Sequence, residues 1–411
     1  MTAPHLLAGP DPRAGAESLA AHVARLGALP AGGNGLVDVV ERSDLRGRGG
    51  ASFPVGTKWR AVTQRKRGDA VVLVNGAEGE PLSHKDRLLM RSRPHLVLDG
   101  AILAADAVGA REVVVYVGQE HTAASTAIQR ALAERPDAAA HNVRLLLAPP
   151  RYVAGEESAA VHCVNEGLGL PTATPPRPFE RGVAGKPTLV QNVESLAHAA
   201  LIARSGDAWF RDAGVDTASG TALVTVSGAV PATTVLEVAQ GTTVTAAVSA
   251  AGGLTADAGA VLLGGYFGGW VLARDAWSLP LDPVKLRHSG RALGCGVIAV
   301  LPASRCGVVA TAQIARYLAE ESAGQCGPCV FGLRAMADAL QRIAACAAEA
   351  GDLARLQRWT AEIRGRGACK HPDGAAGMVG SAFEVFAQEL AAHVDHRRCT
   401  ATSQGGSTWT L

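Results

Sequence analysis

The chain has 411 residues and a formal net charge of +2, too near neutrality to suggest a nucleic-acid or membrane-surface partner. Hydrophobic residues make up 48% of it and mean hydropathy is +0.14, enough for a sizeable core spread over two or three domains. No apolar run approaches the roughly 18 residues a membrane helix needs. The N-terminus shows no basic stretch followed by an apolar one, and the 8 cysteines read as reduced thiols and ligands, so the expected compartment is the cytoplasm.

Residues 1–30 are rich in Ala and Pro and are expected to be partly helical. Helical spacing of Leu36, Val39 and Val40 predicts a helix over 35–45, which runs into Arg46-Gly-Arg-Gly-Gly-Ala-Ser-Phe-Pro. Gly47, Gly49 and Gly50 permit positive φ or a close backbone approach, and Pro54 opens a further helix carrying Lys58 and Trp59. A glycine turn feeding a helix N-terminus offers free N–H groups to an anion, although by itself it is equally a plain turn.

Ala70-Val-Val-Leu-Val is a continuous apolar run and predicts a buried strand. It delivers the polar loop Asn75-Gly-Ala-Glu-Gly-Glu-Pro-Leu-Ser-His-Lys-Asp-Arg, placed where ligands of open α/β sheets sit. A helix over 94–109, a strand over 112–118, a helix over 121–134 and a strand over 142–147 follow. This βαβ alternation predicts a largely parallel sheet with helices on both faces. Tyr152-Val-Ala-Gly-Glu-Glu-Ser puts two acids at a helix start, where the dipole favours them even without a further role. The Pro-rich stretch 171–187 is a long loop of a kind that often carries function. Gln191-Asn-Val-Glu then begins another helix, with Asn192 either capping it or offering its amide to a ligand.

Past Ser219 the texture changes. Strands over 221–227, 235–239, 260–263 and 296–301, with a short helix opened by Gly241-Thr-Thr-Val, predict a small α+β domain. Helices over 308–321, 328–346, 351–365 and 373–396 then predict a bundle. Cys326 and Cys329 stand on one interhelical loop and Cys369 on another, and two closely spaced thiolates plus a remote one suit a metal or an iron–sulfur cluster. Three residues before Cys326, where a further cysteine would complete a four-thiolate site, stands Ala323. Cys163, Cys295, Cys306 and Cys346 read as small packing residues, and 399–411 as a frayed tail.

Taken in order, the motifs from Gly47, Asn75 and Tyr152, the stretch Gly185-Lys-Pro-Thr-Leu-Val-Gln-Asn-Val-Glu-Ser, and Glu321 to Cys329 with Cys369 resemble the NADH-oxidising flavoprotein subunit of bacterial respiratory complex I. Its relatives in NAD-reducing hydrogenases and formate dehydrogenases share the pattern. The resemblance covers residues 35 to about 395. It implies an α/β Rossmann-like flavin domain over 1–215, a small α+β ubiquitin-like β-grasp (soluble-ligand-binding) domain over 216–303, and a C-terminal all-α helical bundle for a [4Fe–4S] cluster over 304–398.

Residue roles follow from the same resemblance. Gly47, Arg48, Gly49, Gly50 and Lys58 would line the FMN phosphate and the nicotinamide pocket, and Asn192 would reach the phosphate. Asn75, Glu78 and Glu80 would flank the flavin, while Tyr152, Gly155, Glu156 and Glu157 would contact the flavin and the NADH ribose. Phe53 would stack near the adenine, with Phe179 a second candidate. Glu80 and Glu157 are assigned to the chemistry, and Cys326, Cys329 and Cys369 to the cluster. The departures from the family are Ala77 for an Asp, Gln191 for an Asn, Ser52 and Leu82 for glycines, Val330 for an Arg, and Ala323 for the first cluster cysteine. His371 is a candidate fourth ligand on sequence proximity to Cys369 alone.

Three functions stay open at this point. The first is an FMN-dependent NADH:acceptor oxidoreductase of the quinone type, passing electrons to a ferredoxin-like or other iron–sulfur partner. The second is a diaphorase without a cluster that donates from FMN to a soluble acceptor. The third is a non-redox binding or scaffold relative, disfavoured by the retention of Lys58, Glu78, Glu80, Glu156 and Glu157.

Overall fold

The valines of the first apolar run sit at the middle of a sheet. In the computed structural model, which describes residues 5–65, 69–399 and 401, Val71, Val72, Leu73 and Val74 are completely buried. The chain forms two units. The first is Met1–Gly79, Ser83–Leu223 and Glu237–Gly241, and the second is Glu80–Leu82, Val224–Leu236 and Thr242–Leu411.

The first unit opens with a 3₁₀ turn at Pro12–Ala14 and the helices α1 (Leu19–Leu26), α2 (Gly35–Arg42) and α3 (Val55–Thr63). Next come β1 (Ala70–Gly76), α4 (Lys85–Ser92), α5 (Pro94–Val108), β2 (Ala110–Gly118), α6 (Thr122–Glu134), α7 (Pro136–Ala140) and β3 (Val143–Ala148). The unit continues with α8 (Glu157–Glu166), β4 (Thr188–Asn192), α9 (Val193–Arg211) and a short antiparallel pair, β5 (Gly214–Val215) and β6 (Ala218–Ser219). The four main strands run parallel in the order β3-β2-β1-β4. A parallel sheet must be covered on both faces, which is why its strands read as unbroken apolar runs. Val71, Leu73, Val114, Tyr116 and Val190 make one core with Ala160 and Cys163 of α8. Helix α5 is buried along almost its whole length and packs on β1, β2 and α9.

β4 corrects the expectation of a helix beginning at Gln191. Residues Thr188 to Asn192 pair with Val71 to Asn75 of β1, and the helix starts only at Val193. Its apolar run is just Leu189-Val190 between Pro187 and two amide side chains, too short to announce a strand.

In the second unit the strands β7 (Thr221–Gly228), β8 (Thr234–Ala239), β9 (Ala258–Leu263), β10 (Gly269–Leu272) and β11 (Val297–Pro302) form a sheet in the order β10-β9-β11-β7-β8. β11 is parallel to β7, and β9 is antiparallel to both of its neighbours. β10 was not foreseen, because a four-residue strand opening on Gly269 leaves little periodicity to read. The short helices α10 (Val244–Ala250), α11 (Ala273–Ala276) and α12 (Pro283–His288) accompany the sheet. The bundle consists of α13 (Gly307–Glu320), a π-helical turn Pro328–Leu333, α14 (Arg334–Ala344), α15 (Asp352–Ile363), α16 (His371–Val385) and α17 (Ala387–Asp395). The single helix expected over 373–396 is broken at Phe386, whose φ of −113° and ψ of 28° leave the helical region. Of the expected tail, Cys399 is described, while residues 400 and 402–411 lie outside the described residues. Among the described residues no helix is long and apolar enough to cross a membrane.

Close packing of α5 on α9 depends on Gly100, where a Cβ would stand 2.0 Å from the Leu196 carbonyl oxygen. Gly100→Ala should therefore push the helices apart at a cost of about 1–3 kcal/mol. The urea midpoint of the variant should fall with an unchanged m-value.

Candidate functional site

Strand order fixes where a ligand can enter the first unit. From β1 the chain winds outward through β2 and β3 and then crosses back to lay β4 on the other side of β1. The direction of winding thus reverses between β1 and β4, and open α/β sheets bind ligands beyond the carboxyl ends of such a strand pair. Asn75 and Asn192 end the two strands there and are register partners.

Three loops converge on that edge. The glycine loop approaches Asn192 so closely that a Cβ on Gly49 would stand 3.3 Å from the Asn192 Cβ. Gly50 has a φ of 114° and Ser52 one of 52°, so the loop folds in the left-handed region that favours glycine, and Ser52 adopts it in place of one. The Arg48 amide donates to Ser195 Oγ at 2.9 Å, seating the loop on the first turn of α9. The Arg48 guanidinium turns inward and donates to the carbonyls of Arg46 and Thr221. From β1, Asn75 Nδ2 donates to the Gly155 carbonyl at 2.9 Å and ties down the turn at Tyr152–Gly155. Gly79 passes beneath that turn, where a Cβ would meet the Tyr152 carbonyl oxygen at 2.6 Å.

The carboxylates of these loops have separate fates. Glu78 caps α4, taking the Ser83 hydroxyl and the Asp86 amide on one oxygen and the Arg87 amide and guanidinium on the other. Burial raises its pKa, but Arg87 outweighs that and holds Glu78 below the usual carboxylate range. Glu156 caps α8 through Oε2, which accepts from the amides of Ser158 and Ala159. Burial pushes this carboxyl up against those bonds. Glu157 instead stays partly exposed, pairs with Lys58 Nζ at 2.8 Å and has Arg177 at 3.9 Å. Glu80 belongs to the second unit, where its carboxylate accepts from the amides of Leu82 and Tyr266. Phe53 is 54% exposed, a large apolar ring left open in the glycine loop. Phe179 lies under the Arg65 guanidinium, 5.3 Å from its centre.

A group not singled out from the sequence lies beneath. Lys85 is buried between Asp86, at 2.6 Å, and Glu194, at 2.7 Å. Asp86 also accepts from Asn192 Nδ2 at 2.7 Å, and Glu194 accepts from the Leu223 amide at 2.8 Å. Burial alone would lower the Lys85 pKa, but Asp86 and Glu194 reverse this and keep it charged. A Lys-Asp pair at a loop end reads as surface charge, and only the fold reveals that both are buried.

In the second unit Cys326 and Cys329 lie together, and Cys369 acts on Cys329 electrostatically. Burial pushes the Cys326 thiol up, but the amides of Ala368 and Cys329 and the Cys329 thiol bring it below the ordinary value. Cys329 is pushed up to about 12 by burial and by the two neighbouring sulfurs. His371 Nε2 is bound to the Leu318 carbonyl at 2.6 Å.

Comparison with known proteins bears directly on these features. A family model described as the Nuo51 FMN-binding domain matches residues 40–200, an SLBB domain model matches 223–265, and the iron–sulfur binding region of NADH-ubiquinone oxidoreductase-F matches 309–393. The NADH-quinone oxidoreductase F 2 protein of Rhizobium meliloti is 32% identical over 89% of this chain and 90% of its own. The chain belongs to the NADH-quinone oxidoreductase F family. The NADP-reducing hydrogenase subunit HndC of Solidesulfovibrio fructosivorans is 29% identical over 89% of this chain and 77% of its own. Crystal structures of an NAD+-reducing [NiFe]-hydrogenase in the H2-reduced and air-oxidised states superpose with TM-scores of 0.79 and 0.81 at 32% and 31% identity. The present chain spans 62% and 65% of those hydrogenase chains and is itself covered to 88% and 96%. Within this member of the oxidoreductase F family the FMN-binding match contains the glycine loop, the β1 loop, the Tyr152 turn and Asn192, and the iron–sulfur match contains all three clustered cysteines.

Glu78→Gln removes a charged cap and should cost about 1–3 kcal/mol. Because the folded carboxyl titrates below its unfolded value, the wild-type advantage should be constant above about pH 5 and shrink as pH falls below about 4. Denaturant midpoints of both proteins across that range check the sign.

Proposed function

We propose that the chain is an FMN-dependent NADH:acceptor oxidoreductase, with FMN at the β1/β4 edge and iron–sulfur chemistry at Cys326, Cys329 and Cys369. The observation that carries this reading is the register pairing of Asn75 with Asn192 at the reversal of winding, with the glycine loop laid against it. The close approaches at Gly49 and Gly79 seat the glycine loop on Asn192 and the loop after β1 on the Tyr152 turn. FMN, when bound, accepts hydride from NADH and releases electrons.

The chain's own part is binding and orientation. With the Gly47 and Arg48 amides bonded to the Phe53 carbonyl and Ser195 Oγ, the amides of Gly49 and Gly50 and the N-terminus of α9 are those offered to the phosphate. Asn75 and the turn at Tyr152–Gly155 hold the flavin edge, and Phe53 stacks on the adenine of NADH. Glu157, accessible and steadied by Lys58, accepts the ribose hydroxyls; a catalytic role for Glu80 rests on the family resemblance alone. The division at 1–215, 216–303 and 304–398, with a β-grasp middle domain, belongs to the same proposal. So does an iron–sulfur electron-transfer protein as the partner. The quinone named for the relatives is one candidate final acceptor among several.

Heat release of the cofactor followed by chromatography should yield FMN, and recovery of FAD as the main species would overturn the assignment. Glu157→Gln should weaken NADH binding about tenfold or more with FMN content unchanged, since hydrogen bonds to a charged group are worth about 1.5–3 kcal/mol. An unaltered NADH affinity would take Glu157 out of the nucleotide site.

Ala323 supports a second reading, a diaphorase that donates from FMN without a cluster. Spectra of anaerobically purified protein separate the two, by flavin bands with a broad brown shoulder or by flavin bands alone. Ala323→Cys should raise the iron and sulfide held after anaerobic reconstitution toward about four of each per chain. Wild-type protein already holding that amount would assign the fourth position to another ligand, and near-zero iron in both proteins would defeat the cluster.

A further inference from the structure

Away from the three clustered cysteines the second unit gathers another sulfur–imidazole group. Cys306 caps the N-terminus of α13, His393 lies in the last turn of α17, and Cys399 follows that helix. One ligand atom of each lies within 4.8 Å of the other two, which no other set of three His, Cys, Asp or Glu residues does among the described residues. Cys306 and His393 are buried. From the sequence Cys306 is expected to be a packing residue and Cys399 part of the tail.

The ring of His393 is oriented for a metal. Nδ1 lies 2.9 Å from the Ile343 carbonyl, an acceptor only, and 3.4 Å from Cys346 Sγ; the shorter contact requires that Nδ1 carry the hydrogen. Nε2 is then left with its lone pair, and it faces Cys306 Sγ at 3.3 Å. Metal-bound histidines almost always donate their other ring N–H to a carbonyl or carboxylate in this way. Tetrahedral zinc, with Zn–S of about 2.3 Å and Zn–N of about 2.0–2.1 Å, places sulfur and nitrogen about 3.6 Å apart, close to the separation seen. The Val309 amide donates to Cys306 Sγ at 3.5 Å, fixing the sulfur at the start of α13.

We propose that Cys306, His393 and Cys399 bind one zinc ion, separate from the iron–sulfur ligands, which fastens the segment after α17 to the start of α13. Two thiolates and a neutral imidazole leave Zn²⁺ with no net charge, which suits a buried position. Binding releases the two thiol protons and changes no oxidation state. The fourth position falls to water beside Glu389, which stands one turn before His393 and accepts the Gly307 amide at 2.7 Å. Thiolate and imidazole together with tetrahedral spacing select zinc over the hard cations.

The full chain, purified anaerobically without a metal-affinity step, should hold about one zinc by mass spectrometry in addition to any iron. Cys399→Ser and His393→Gln should each weaken zinc binding by more than about tenfold, since even outer partners of a zinc ligand are worth that much. Far-UV circular dichroism and the urea midpoint of the zinc-free protein should not change in either variant, which reports that the fold is intact. Among the described residues Cys399 follows α17 and lies outside every helix, so its variant remains informative if Cys306→Ser fails to fold. Cobalt(II) added to zinc-stripped protein should give thiolate charge-transfer absorption that is lost in Cys399→Ser. Absence of zinc together with no cobalt band, zinc content unchanged in both variants, or a Cys306–Cys399 disulfide in the native protein would each overturn the proposal.

Discussion

Lys85 holds the first unit's binding edge together. It is sealed from water with a carboxylate on either side, one at the start of α4 and one in the first turn of α9. Burying an unpaired ammonium or carboxylate costs several kcal/mol, and removing one partner of such a group typically costs about 3–5 kcal/mol. The two helix starts are therefore not free to drift apart. Asp86 passes the constraint to Asn192, and Ser195 passes it to the glycine loop through the Arg48 amide. The glycine loop and the loop after β1 thus rest on helices whose starts this ion group holds together.

That constraint explains why acids in the same loops do different work. Glu78 follows β1 and Glu156 follows the turn at Tyr152–Gly155, and each precedes a helix whose first-turn orphan amides take up its oxygens. Glu157 comes one residue later, is already helical, and points its charge at Lys58. A single step in sequence separates a cap from an accessible carboxylate. Arg48 shows the same economy. The residue that looks most suited to a phosphate gives its guanidinium to carbonyls of its own unit instead.

Much of this architecture was legible. Strands β1, β2 and β3 announced themselves because a sheet covered on both faces demands unbroken apolar runs. β4 did not, because its apolar part is two residues long and Asn192 carries the signature of a helix cap, which it also is. The loops of the site were readable as motifs, since glycines and clustered acids in a fixed order are rare by accident. What the motifs could not give was direction. Neither the inward turn of Arg48 nor the burial of Lys85 leaves a trace in local sequence, because both depend on residues more than a hundred positions away. In the second unit, helix spacing located the bundle but not the break at Phe386, a residue with no Gly or Pro beside it.

The loop around Ala323 illustrates how a missing residue is to be weighed. A buried cysteine that serves only as a small hydrophobe needs no amide aimed at its sulfur. Here the Cys326 sulfur receives the amides of Ala368 and Cys329, and the Cys329 sulfur receives that of Gly324. Gly324 has a φ of 65°, and a Cβ there would meet nothing within 4 Å, so its glycine answers to backbone conformation and not to crowding. Amides pointed at sulfur stabilise thiolates, and thiolates are what a cluster binds. The amides thus favour the thiolate at Cys326, while burial and the neighbouring sulfurs hold Cys329 protonated, and Ala323 leaves the loop one sulfur short of a four-thiolate set.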